Sequence, residues 1–136
     1  MRILFMSQKD AEAIVPTDNM AIISIIDNDG DRNLNPGWNY LLPLAFDDID
    51  REVYDYKLFS KEQGRQVLDF ISMLPTSVDC IVVHCWAGIS RSGAIAKYLS
   101  EYYQTTDFPS RYSLYNKHVY STLRTVYNEN LFHEEV

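Results

Sequence analysis

Val83-His84-Cys85-Trp86-Ala87-Gly88-Ile89-Ser90-Arg91-Ser92-Gly93 is the stretch that decides the reading of this chain. It follows Cys80-Ile81-Val82, and together Cys80 to His84 form a continuous apolar run of the kind expected for a central strand buried on both faces. A cysteine closes that strand, five residues intervene, and an arginine follows at which a helix begins. The helix reads as Ser92 to Tyr103, with Ile95, Tyr98, Leu99 and Tyr102 on one face. A five-residue turn between strand and helix can aim its backbone N–H groups at one centre, and the helix N-terminus adds positive partial charge there. The residues Trp86, Ala87, Gly88, Ile89, Ser90 and Arg91 are therefore expected to cradle a tetrahedral dianion. Gly88 supplies the backbone freedom so tight a loop needs, and the planar guanidinium of Arg91 can hold two oxygens at once. The same positive environment favours a thiolate at Cys85, so a nucleophile and an oxyanion site coincide.

Upstream of this stretch, Ile3 to Met6, Ala21 to Asp27 and Tyr40 to Phe46 read as three further strands. Between the third strand and Cys80, Val67, Leu68, Ile71 and Leu74 recur at helical spacing. Ser60 is placed to cap that helix, with Gln63 three residues on, and Pro75 stops it. A last amphipathic pattern runs from about Ser110 to Tyr127 through Leu114, Tyr115, Val119, Leu123 and Val126, after a break at Thr105 to Ser110 containing Pro109. Asn28 to Asn39 is dense in turn formers and reads as a surface loop. The expected fold is α/β: one domain over residues 1–136, with a short, mostly parallel sheet flanked by helices.

The composition narrows the function classes. The chain has 136 residues, 46% hydrophobic, with 12 Lys+Arg against 19 Asp+Glu for a formal net charge of −7. That apolar fraction is enough to offset the entropy of ordering a backbone, so disorder is disfavoured. The acidic balance argues against nucleic-acid partners and against anionic membranes, because both need a positive field. Apolar runs such as Ala21 to Ile26 fall well short of the ~20 residues that cross a bilayer. The N-terminus does not read as a signal peptide, and a cytoplasmic, monomeric protein is expected. Two cysteines are too few for a disulfide scaffold, and three scattered histidines offer poor zinc ligation.

The motif His84-Cys85-x-Ala87-Gly88-x-Ser90-Arg91-Ser92 resembles the signature loop (CX5R) of the cysteine-based protein tyrosine phosphatases. The similarity is strongest to the compact dual-specificity branch and its short bacterial and phage relatives, and it extends over roughly Tyr40 to Tyr103. The resemblance implies a metal-independent, cofactor-free hydrolase that acts on phosphorylated proteins or peptides in two steps. Cys85 would attack phosphorus to form a phosphocysteine while Arg91 and the loop N–H groups hold the other oxygens. Ser92 would assist release of the Cys85 sulfur, and His84 corresponds to an orienting histidine behind the nucleophile. The general acid is expected in Leu42-Pro43-Leu44-Ala45-Phe46-Asp47-Asp48-Ile49-Asp50. Alignment from Leu44 favours Asp48, a shift of two residues brings Asp47 to the same place, and Asp50 stands third. Phosphotyrosine is the expected substrate, with phosphoserine and phosphothreonine admitted by a shallow pocket. An intact loop without effective turnover, a pseudophosphatase that only binds phosphorylated partners, is the alternative.

Other residues invite simpler readings. Cys80 sits roughly 16 Å along the strand from Cys85, too far to bridge, and is expected in the core. His118 and His133 read as surface residues of a helix and the tail. Tyr98, Tyr102, Tyr115 and Tyr127 fall at helical spacing and suit packing, whereas Tyr54 and Tyr56 are candidates for the pocket rim, as is Trp86.

Overall fold

β4 (Cys80–Cys85) is buried at every position, because strands flank it on both sides and apolar groups cover both faces. The computed structural model, which describes residues 1–134 with side chains through Leu131, places β1 (Arg2–Ser7) on one side of β4 and β2 (Met20–Ile26) on the other. β3 (Leu41–Ala45) completes a sheet of order β1-β4-β2-β3. All neighbouring pairs are parallel, so the expected "mostly parallel" sheet is wholly so. Pro43 falls in β3, an edge strand, where its missing N–H costs no ladder bond to a further neighbour.

Strand alternation sorts the side chains into two layers. Ile81, Val83 and Cys85 point to the larger cluster, with Ile23, Ile25, Phe46, Leu99 and Leu123. Cys80 and Val82 point to the smaller one, with Ala11 and Ile22. Cys80 and Cys85 thus lie on opposite faces, both as free thiols, and burial pushes the Cys80 thiol upward. α2 (Lys61–Met73), α3 (Arg91–Tyr102) and α4 (Lys117–Glu134) build the large-cluster layer, with α3 packed on β1 and β4 and α4 packed on α2 and α3. The opposite face is covered by α1 (Gln8–Glu12) and by Leu34 and Trp38 of the turn-rich loop. That loop is therefore more than a surface connection: its apolar side chains close the second layer.

Local chemistry explains the boundaries. Ser60 and Gln63 form the expected reciprocal cap on α2: Ser60 Oγ accepts from the Gln63 N–H at 3.1 Å, and Gln63 Oε1 accepts from the Ser60 N–H at 3.1 Å. α1 is absent from the sequence expectations. It is a single capped turn, with Ser7 Oγ accepting from the Asp10 N–H, too short for any periodicity to register. The last helix begins at Lys117 and not near Ser110. Asn116 Oδ1 accepts from the Val119 N–H at 3.0 Å and caps the helix there, leaving Leu114 and Tyr115 outside it. Leu114, expected on the apolar face, is 64% exposed.

Candidate active site

The signature loop wraps around the Cys85 sulfur at the C-terminal end of β4, where a parallel sheet leaves a crevice for ligands. Cys85 is 2% exposed. Ser92 Oγ lies 3.1 Å from Sγ, and the Gly88 N–H donates to Sγ at 3.3 Å. Gly88 has a φ of +74°, and a Cβ there would stand 2.3 Å from both Met6 C and Ser7 N, so only glycine lets the loop pass this close to β1. The loop carbonyls are held from outside. Trp86 O accepts from the Gln8 N–H, Ile89 O from the Tyr112 hydroxyl, and Ser90 O from the N–H groups of Ala94 and Asn116. Among the described residues, the N–H groups of Ala87, Ile89, Ser90 and Arg91 donate to no acceptor on the protein, which leaves them for an anion.

Arg91, at the first turn of α3, has a side chain only 6% exposed. Its Nη1 donates to Asp27 Oδ1 at 2.8 Å and to Phe46 O at 2.8 Å, so the ends of β2 and β3 pin one corner of the guanidinium. Its Nε is buried and has no partner. An unpaired buried donor on a permanent cation is costly, and a bidentate oxyanion is the acceptor that geometry suits. Asp27 was not singled out from the sequence, because nothing in the residue after an apolar strand signals a partner 64 positions away.

The two leading acid candidates have different surroundings. Asp47 binds backbone: its carboxylate accepts from the N–H groups of Asn28 at 3.2 Å and Lys57 at 2.7 Å, and its own N–H donates to Lys57 O. It ties the ends of the connecting loop together. Asp48 faces the signature loop. Its Oδ1 accepts from Ser90 Oγ at 2.9 Å and from Asn116 Nδ2 at 2.9 Å, while the same Nδ2 also reaches Ile49 O at 3.0 Å. Asn116 thus caps α4, positions Asp48 and grips Ser90 at once. The sequence did carry a signal for it, an Asn immediately before the Val119, Leu123, Val126 pattern. Asp50 is exposed and pairs with Arg51 at 3.0 Å, which holds its carboxyl below the usual carboxylate range.

His84 points to the opposite face from Cys85 and is fully buried. Its Nε2 lies 2.6 Å from Ser24 Oγ, which accepts from Arg32 Nε at 2.8 Å. A carbonyl oxygen can only accept, so the ring proton sits on Nδ1, facing Cys85 O at 3.4 Å, and Nε2 accepts the Ser24 hydroxyl proton. Burial, assisted by the Arg32 charge, pushes the His84 pKa below its ordinary value and keeps the ring neutral. The lone hydroxyl of Ser24 inside Ala21 to Ile26 was the legible hint that a buried polar network existed. Arg32 also donates to the carbonyls of Ser24 and Leu44, locking the ends of β2 and β3.

The remaining candidates spread around the rim. Trp86 is 69% exposed beside the loop. Tyr54 and Tyr56 are exposed and line an open depression of about 410 Å³ with Asp29 and Asp47. A second open depression of about 420 Å³ lies beside Ser90, bounded by Asp48, Arg51, Asn116 and Lys117. His118 is not a free surface group: its Nε2 meets Phe59 O at 2.8 Å and ties α4 to the approach to α2. The His133 side chain lies outside the described residues. Tyr98 is buried, whereas Tyr102 reaches the surface.

No family model and no curated protein matches the sequence. Among solved structures, the human tyrosine phosphatase-like serine/threonine/tyrosine-interacting protein superimposes with a TM-score of 0.54 at 20% identity, over 83% of this chain and 80% of that one. The helices among the described residues include none long and apolar enough to cross a membrane. The single α/β domain, with its all-parallel sheet and with Cys85 and Arg91 at the two ends of one loop, therefore has the tyrosine phosphatase-like fold that the signature motif implies.

Proposed function

We propose that the chain hydrolyses phosphate monoesters on proteins, phosphotyrosine above all and phosphoserine or phosphothreonine in addition, through a phosphocysteine on Cys85. The observation that carries this reading is the Cys85 sulfur beneath the Gly88 N–H and beside Ser92, with the unpaired Nε of Arg91 at the other end of the loop. In the first step the Cys85 sulfur bonds to phosphorus as the P–O ester bond breaks, and Asp48 delivers a proton to the leaving oxygen. In the second step water attacks the phosphocysteine, Asp48 takes the proton, and Ser92 stabilises the departing thiolate. Asp48 is assigned over Asp47 because it is bonded to Ser90 of the loop, whereas both carboxylate oxygens of Asp47 serve backbone N–H groups. The open depression beside Ser90 suits a shallow site that admits short phosphorylated side chains as well as long ones. Two free thiols suit a reducing, cytoplasmic setting, and the protein is taken to act as a monomer without nucleic-acid or membrane partners.

The test is hydrolysis of p-nitrophenyl phosphate with chelator present, comparing wild type with Cys85→Ser. Chelator-resistant turnover that the substitution abolishes supports the assignment, and full activity in Cys85→Ser refutes it. A second reading takes its support from the neighbour's description as phosphatase-like and interacting: the loop would capture phosphorylated partners without turnover. Vanadate or phosphopeptide binding by wild type in the absence of any hydrolysis would select it.

A further inference from the structure

We propose that Tyr112 is a positioning residue for the phosphate site, one that turns the Ser90 N–H toward the oxyanion by holding the Ile89 carbonyl from outside the loop. The proposal rests on the hydrolase reading. The Tyr112 hydroxyl donates to Ile89 O at 2.6 Å, the one side chain that bonds a carbonyl of residues 86–90 among the described residues. In a trans peptide the C=O and the following N–H point in opposite directions. Fixing Ile89 O toward Tyr112 therefore sends the Ser90 N–H to the concave side of the loop. The next peptide is set in the same way, since Ser90 O is held by the N–H groups of Asn116 and Ala94 and the Arg91 N–H is directed inward.

Two further features show that the ring is seated for this role. Its ring packs edge-on against the stacked pair Phe5 and Phe108, at centroid distances of 5.3 and 5.8 Å. Gly93, in the first turn of α3, leaves the space it occupies: a Cβ there would lie 3.0 Å from Tyr112 Cε2. Glycine inside a helix costs about 1 kcal/mol relative to alanine, and the approach of this ring explains why it is tolerated. Tyr112 belongs to the irregular segment before α4, so no periodic pattern marked it in the sequence.

The test compares wild type with Tyr112→Phe, which keeps the ring and removes only the hydroxyl. Binding of vanadate is measured by calorimetry, and KM and kcat for p-nitrophenyl phosphate are measured separately. One poorly aimed donor to an anion should weaken vanadate binding and raise KM by about tenfold, with kcat changed much less. A merely structural defect would instead lower the active fraction, reducing kcat at constant KM, and that pattern overturns the proposal. So does vanadate affinity within twofold of wild type. Wild type that binds neither phosphate nor vanadate overturns the hydrolase reading and this inference together, which distinguishes the two failures. If the variant does not fold, amide spectra of the wild type decide. The Ser90 amide resonance must be among those moved most by vanadate, and a Ser90 amide that stays in place overturns the proposal.

Discussion

Asp48→Asn is the perturbation that best separates chemistry from architecture at this site. Asp48 Oδ1 accepts two hydrogen bonds, from Ser90 Oγ and Asn116 Nδ2, each at 2.9 Å. The amide oxygen of asparagine can accept both, so the loop contacts survive and the change in stability should stay within about 0.5 kcal/mol. Asp48→Ala removes that acceptor and leaves two donors without it, which should cost about 1 to 2 kcal/mol. What Asp48→Asn does remove is the ionisable proton. A positioned general acid contributes roughly 10²- to 10⁴-fold, and its worth grows with the basicity of the leaving group. The tyrosine phenol, with a pKa of about 10, should feel the full loss, whereas p-nitrophenolate leaves without help and should lose at least about tenfold less. The assay is kcat on a phosphotyrosine peptide and on p-nitrophenyl phosphate, for wild type, Asp48→Asn and Asp47→Asn, alongside melting curves. Equal slowing of both substrates by Asp48→Asn refutes the assignment. A leaving-group-dependent loss in Asp47→Asn would move the role to that residue. The expected signature of Asp47→Asn is a drop in stability, because its two oxygens brace the backbone at Asn28 and Lys57.

Two other expectations follow from the same geometry. Gly88→Ala combines a positive φ, costing about 1 kcal/mol for an L side chain, with a Cβ 2.3 Å from the backbone of β1, so the loop must move by about 1 Å. Vanadate affinity should fall by about a hundredfold, and retention of wild-type affinity would show that the loop accommodates the methyl. Burial lowers the His84 pKa in the folded state, so the unfolded chain binds that proton more readily and stability falls as pH drops. The loss begins near the ordinary histidine value of about 6.5 and accrues at up to about 1.4 kcal/mol per pH unit until the folded ring titrates. Melting curves from pH 7.5 to 5.5 should show this slope in wild type and a flatter one in His84→Gln; identical slopes would remove His84 as the cause.

The signature loop was legible in the sequence because its chemistry is local. A buried strand, a cysteine at its end, a glycine in the turn and an arginine at the helix start are consecutive, and each carries its reason within a few residues. The cap on α2 and the four strands were readable on the same grounds, since capping pairs and apolar runs are short-range signals. Periodicity failed where a single cap overruled it: the apolar spacing of Leu114 and Tyr115 suggested helix, but Asn116 starts α4 after them. It was silent for α1, which has one turn.

The choice between Asp47 and Asp48 could not be made from one strand and a run of acids, because adjacent residues differ only in which way the chain turns after β3. The proposed assignment to Asp48 rests on the packing of α4 against the loop, which brings Asn116 and Ser90 to that carboxylate. Asp27, Arg32, Ser24 and Tyr112 likewise became part of the site only when parallel strands aligned their C-terminal ends and the segment before α4 folded back on the loop. The residues proposed for the chemistry were legible in the chain, since a thiol, a guanidinium and a glycine turn are properties of its covalent order. The partners that Asp27, Asn116 and Tyr112 supply were decided by the tertiary structure, because their bonds to Arg91, Asp48 and Ile89 join residues 23 to 68 positions apart and exist only after the chain closes on itself.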